Sequence, residues 1–141
     1  MELINATEAR KSWSSVIDTA VREKPQFIKR TRDKLIIIDT KDIERLLLQT
    51  KFSADKYTEK DGSITLALRD LDLAVNEKTE KEALISLATD LYEYAEDFYK
   101  EYSLWSNAPN RKAHIPYIIK ALAIGDVQKI KDELICQAGE I

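Results

Sequence analysis

Apolar residues in the first fifty positions change period several times. Ala9, Trp13, Val16, Ile17 and Ala20 recur at spacings of three and four, which predicts one amphipathic helix from Ala6 to about Arg22 with all five on its buried stripe. Asn5 offers an N-cap, Glu8 three residues later completes a capping box, and Pro25 stops the helix. Ahead of it, Glu2 to Ile4 is a short extended candidate. Phe27 to Lys29 and Leu35 to Ile38 read as two strands of a hairpin, joined by the polar connection Arg30 to Lys34. A helix from about Lys41 to Gln49 follows, with Ile43, Leu46 and Leu47 on one side. The run Leu35 to Ile38 is too apolar for a strand with one wet face. So short a segment buries little area of its own, so a dimer interface is the expected second cover.

Lys51 to Gly62 is polar and carries the turn signal Asp61-Gly62, so residues 51–62 read as a linker between domains at 1–50 and 63–141. Ile64, Leu66 and Leu68 alternate with Thr65, Ala67 and Arg69 as in a half-buried strand, which Leu71, Leu73 and Val75 extend after a bend. Thr79 and Glu82 form a second capping box at the head of the longest helix, whose stripe is Leu84, Leu87, Leu91, Ala95, Phe98 and Tyr102. Ser106 to Lys112 reads as a loop. A helix from about Ala113 to Ile124 has Pro116 in its first turn and breaks at Gly125; Asp126 then caps a last helix carrying Val127, Ile130, Leu134 and Ile135. The expected class is α+β: a small βαββα unit followed by a mostly helical module with a short strand.

At 44% hydrophobic and 33% charged, the composition is that of an ordinary globular protein. Its longest apolar runs are four residues, far too short to span a bilayer, and no secretory pattern opens the chain, so a cytoplasmic location is expected. The net charge of −3 conceals an asymmetry: residues 1–50 carry ten Lys/Arg against eight Asp/Glu, and the remainder twelve against seventeen. A mildly basic segment joined to an acidic one fits a DNA-facing part and a partner-facing part.

A single cysteine, Cys136 in an apolar stretch, excludes an internal disulfide and reads as a passive thiol. His114 is also alone, which leaves few ways to build a zinc site or a nucleophilic triad, and the three glycines are too scattered for a phosphate loop. The segment Asn110 to Tyr117 invites an enzymatic reading, with His114 as acid–base and Arg111 or Lys112 on phosphate. It holds no second histidine or carboxylate, so local bonding at a loop-to-helix junction is the simpler reading. No catalytic residue, metal or cofactor is expected.

The segment Ile4-Asn5-Ala6-Thr7-Glu8-Ala9-Arg10-Lys11, followed by Ile28-Lys29-Arg30 and the strand Leu35 to Asp39, resembles the DNA-binding half of Phd/YefM-type antitoxins over about the first fifty residues. The resemblance implies a symmetric dimer on a palindromic operator, autorepression, and a toxin held by the C-terminal part. It places DNA contacts at Arg10 and Arg30, with Thr7, Lys11, Arg32 and Lys34 near the same face. The ninety residues that follow look like the longer Phd-like antitoxins associated with RelE-type toxins, which implies an mRNA endonuclease as partner. In the long helix Tyr94 lies off the apolar stripe and exposed tyrosine favours interfaces, while Glu93, Asp97 and Glu101 match a basic ribonuclease in charge. These four are the candidate toxin contacts, although a buried aromatic layer and a solvated acidic face also explain them. The alternative function is a ligand or protein interaction module that keeps the antitoxin fold without binding DNA.

Overall fold

In the computed structural model, which describes residues 1 and 3–139, the chain forms two compact units, Met1–Arg45 and Leu46–Ile141. The protein is of the α+β class.

The N-terminal unit runs β1 (Ile4–Asn5), α1 (Ala6–Lys11), α2 (Trp13–Arg22), β2 (Gln26–Arg30), β3 (Asp33–Ile37) and α3 (Thr40–Leu46). Its three-stranded sheet has the order β1-β2-β3, with β1 parallel to β2 and β2 antiparallel to β3. The expected single helix is two. Ser12 leaves helical geometry at φ −117° and ψ 33°, and the chain restarts at Trp13. Asn5 caps as expected, its side chain accepting from the Thr7 amide at 2.8 Å, whereas the Glu8 carboxylate lies 3.8 Å from the Lys11 ammonium. The residue before a proline avoids the α region, and α2 accordingly ends at Arg22, short of Pro25.

The break at Ser12 changes which side chains are covered. Ala9, Val16 and Ile28 form the unit's core cluster, with Ala20 also buried. Trp13, expected in the core, is 51% exposed, and Ile17 is exposed as well. Counting one period through an unbroken helix placed both on the inward side; the restart at Trp13 resets that phase.

The C-terminal unit contains β4 (Phe52–Thr58), β5 (Ile64–Leu68), β6 (Leu73–Glu77), α4 (Glu80–Lys100), α5 (Tyr102–Asn107), a 3-10 turn at Lys112–His114, α6 (Ile115–Ile124), α7 (Val127–Glu133) and β7 (Leu134–Ala138). Two expectations are corrected here. Most of the supposed linker 51–62 is β4, an interior strand whose Phe52 and Ala54 are buried. Leu134 and Ile135, expected at the end of the last helix, belong to β7, which pairs in parallel with β4 from Phe52↔Leu134 to Lys56↔Ala138. The module is thus a four-stranded mixed sheet, order β6-β5-β4-β7, with helices packed on it.

Alternation puts Phe52, Ala54, Leu66, Leu68 and Val75 into the core. Against them α4 lays Ala83, Leu87, Ala88, Leu91, Ala95 and Phe98, all buried, and Ile118, Ala121 and Ile130 complete the cluster from α6 and α7. The Thr79 hydroxyl caps α4 by accepting from the Glu82 amide at 3.2 Å. Gly125 ends α6 in the left-handed region at φ 67°, and the Asp126 side chain caps α7 by accepting from the Lys129 amide at 3.0 Å. Lys120 is buried on α6, where its ammonium donates to the Thr50 carbonyl at 2.7 Å and lies 5.1 Å from the Phe52 ring centre.

Leu91 stands fully buried at the middle of α4. Leu91→Ala removes its transfer free energy and leaves a cavity, so it should lower the unfolding free energy by about 2–5 kcal/mol in urea denaturation of the whole chain.

Candidate functional site

The N-terminal unit gathers positive charge at one end of its sheet. Because β1 runs parallel to β2 with Asn5 opposite Lys29, α1 starts level with the end of β2, and β2 leads directly into the hairpin tip. Arg30 and Asp33 face each other across the tip and pair at 2.8 Å, both well exposed. The turn between them is only two residues, tighter than the five-residue connection expected. Thr31 occupies it at φ 53°, an uncomfortable region for a β-branched residue.

Arg30, Arg32 and Lys34 are exposed on this hairpin, and Thr7 is exposed in the first turn of α1 at the same end. Arg10 and Lys11 are exposed one turn further along α1. Arg10 borders a shallow apolar groove lined by Ala6, Ala9, Trp13 and Ile28. Sequence reasoning missed Lys29, which is exposed and stands directly opposite Lys34 in the β2–β3 ladder. Like charges facing each other across a ladder are unfavourable by themselves. The register identifies this pair, and strand periodicity without the register could not.

The same unit leaves apolar side chains uncovered. Leu35 is 51% and Ile36 46% exposed, and as neighbours in a strand they point to opposite faces of the sheet. With Trp13, Ile17 and Val21 they give a forty-five-residue unit more exposed apolar side chains than its small core balances.

In the C-terminal unit, Glu93 and Asp97 are exposed one helical turn apart on α4, and Glu101 follows at its exposed C-terminal cap. Tyr94 does not join them. It is half-buried, its ring stacks edge-on against Phe98 at 6.1 Å, and its hydroxyl lies 2.7 Å from His114 Nδ1 and 3.0 Å from Arg111 Nη1. The tyrosine that α4 offers to solvent is Tyr99, 65% exposed. His114 is buried, with burial and the nearby Arg111 charge holding its pKa below the usual imidazole value and Asp72 and Asp70 opposing them. Burial likewise pushes the half-buried Cys136 thiol up, away from the thiolate form a nucleophile needs.

Comparison with known proteins gives the family. A family model described as antitoxin of toxin–antitoxin, RelE/RelB, TA system matches residues 1–136. A crystal structure from Syntrophomonas wolfei subsp. wolfei, described as the antitoxin part of a proposed toxin/antitoxin system, superposes with a TM-score of 0.89 at 40% identity, covering 99% of this chain and 100% of that one. No curated protein sequence matches the chain.

The low imidazole pKa fixes the sign of a pH effect. Unfolded chains take up a proton near the ordinary value of 6.5, while the fold keeps His114 neutral to lower pH. This group's contribution is therefore fully present above 6.5 and declines as pH falls through the window down to the folded pKa. Urea melts at pH about 7.5 and about 5.5 should show a loss of stability that is smaller in His114→Gln. The family model and the neighbour, both spanning nearly the whole chain, place this protein in the PHD-like antitoxin family of RelE/RelB toxin–antitoxin systems.

Proposed function

We propose that the protein is a dimeric antitoxin that represses its own operon by binding a palindromic operator and neutralises a RelE-like mRNA endonuclease. Membership of a RelE/RelB-type antitoxin family implies a toxin partner; the DNA-binding, dimeric and autoregulatory parts are our reading. One observation carries the DNA-binding part. Exposed Thr7, Arg10, Lys11, Lys29, Arg30, Arg32 and Lys34 all belong to α1 and the β2–β3 hairpin, and the parallel pairing of β1 with β2 sets the start of α1 beside the hairpin tip. Phosphates would relieve the Lys29–Lys34 opposition, and the two arginines supply planar forks for phosphate or guanine edges.

The uncovered Trp13, Leu35 and Ile36 support a dimer, because a second copy would hide apolar surface that one chain leaves wet. Two-fold symmetry would then repeat the basic patch, as a palindrome requires. The toxin contacts we assign to the acidic side of α4, at Glu93, Asp97 and Glu101, which suits a basic ribonuclease by charge. Tyr94 has its hydroxyl engaged internally and serves this surface by holding the helix and the loop at Arg111 together. We infer that the chain acts by binding, without catalysis, in the cytoplasm. Among the described residues, no helix is long and apolar enough to cross a membrane.

Mobility-shift titration on the DNA upstream of the gene tests the first part. Wild type should bind with two chains per palindrome, and Arg10→Ala and Arg30→Ala should each lose about tenfold in affinity with a shallower dependence on salt. Unchanged affinity in both variants rejects the assignment. For the toxin, the combined change Glu93→Gln, Asp97→Asn and Glu101→Gln should slow association with the co-expressed toxin by about tenfold at low salt, and by less at high salt. Equal rates at both would remove the acidic face from the interface.

A further inference from the structure

The Asn110–Tyr117 segment builds a feature that the antitoxin reading leaves unused. Asp72, Leu73, Tyr94, Asn110, Arg111 and His114 line a partly open cavity of about 190 Å³ within the C-terminal unit. That is room for roughly six waters at about 30 Å³ each. Its lining is polar and organised.

The Arg111 guanidinium carbon lies 4.7 Å from the Trp105 ring centre and 5.5 Å from the Tyr94 ring centre, and one N–H goes to the Tyr94 hydroxyl. The two rings help to hold it, and the bond to Tyr94 uses one of its N–H groups and leaves the others to donate. It forms no ion pair among the described residues. The Tyr94 oxygen accepts from Arg111, and we assign its proton to His114 Nδ1, 2.7 Å away. The neutral imidazole then carries its proton on Nε2, so it too is a donor. Asn110 and Asp72 also line the cavity, one an amide able to donate and the other an acceptor carboxylate.

A held, half-buried arginine with a neutral N–H donor beside it is a receptor for a planar anion. Asp72 narrows the choice. A bare dianion such as phosphate would meet its negative charge, whereas an ammonium or hydroxyl next to the bound carboxylate would meet an acceptor.

We propose that this cavity binds a small α-amino or α-hydroxy acid, with Arg111 and His114 on the carboxylate and Asp72 on the neighbouring ammonium or hydroxyl. The site belongs to the C-terminal unit and does not depend on the DNA-binding reading. Tyr94 positions both donors through its hydroxyl.

His114 is the chain's only histidine, so its ring resonances report on the cavity without overlap. The full-length protein is titrated with the common amino acids, glycolate, lactate, acetate and inorganic phosphate while its imidazole signals are followed by NMR. At least one amino or hydroxy acid should give a saturable shift, about tenfold tighter than acetate or phosphate. Arg111→Lys, which keeps the charge and loses the fork, should weaken that binding about tenfold. Asp72→Asn should abolish the preference over acetate while the amide spectrum stays folded. Should Arg111→Lys fail to fold, the exposed Asp72 variant alone decides. The proposal is overturned if no probe gives a saturable shift, if acetate or phosphate binds as tightly as every donor-bearing acid, or if Asp72→Asn leaves the preference intact.

Discussion

The contact that the C-terminal unit depends on is the apolar face of α4 against the inner face of the four-stranded sheet. Sheet residues Phe52, Leu66 and Val75 meet Leu87, Leu91 and Phe98 there, and no other helix supplies as many buried side chains. The opposite side of the same helix is free for charge, which is why Glu93 and Asp97 can be exposed without loss to the core. Between these sides Tyr94 reaches across to His114 and Arg111, so the segment preceding α6 is fixed to α4 by hydrogen bonds as well as by packing. One helix thus orders the core, presents the acidic surface and holds the guanidinium that lines the small cavity.

The N-terminal unit has the opposite character. Ala9, Val16, Ala20 and Ile28 are a small set of buried residues for a segment of this length, and none is aromatic. Trp13, Leu35 and Ile36 are apolar but wet. Physically this is a structure with hydrophobic surface still to be used, which is what the proposed dimer would accomplish. The lysines and arginines then do not need to be accommodated within a core, and their mutual repulsion is tolerable while they remain solvated.

Much of this was legible in the chain because the signals were local. Thr79, Gly125 and Asp126 mark helix ends through interactions within a few residues, and all three do so in the structure. The βαββα order of the first unit followed from periodicity and from Pro25, apart from the split of its first helix at Ser12. What escaped was decided at a distance. The strand Phe52-Ser53-Ala54-Asp55-Lys56-Tyr57-Thr58 hides its alternation because its inward side carries a small alanine and then Lys56, while its outward side mixes Ser53, Asp55 and Tyr57. Leu134 continues the three-four spacing of Val127 and Ile130, yet it becomes a strand because β4 offers a ladder some eighty residues earlier in the chain. Trp13 was misplaced by a helix break that no proline or glycine announces. Of the candidate site residues, the basic ones were proposed from a family pattern, while pairing Lys29 with Lys34 needed the strand register and the internal bonding of Tyr94 needed the fold.

The pairing of β7 with β4 has a consequence for how the chain behaves when it loosens. β7 is an edge strand, and its contact with β4 closes the longest loop of any strand pair in the sheet. Peeling it away would unmask a row of backbone amides and carbonyls along β4, in the register that β7 had satisfied. An outside strand of compatible pattern could adopt that row, including the β7 of another molecule. Strand exchange at this edge would therefore need only the detachment of the chain's last strand, far in sequence from the basic hairpin.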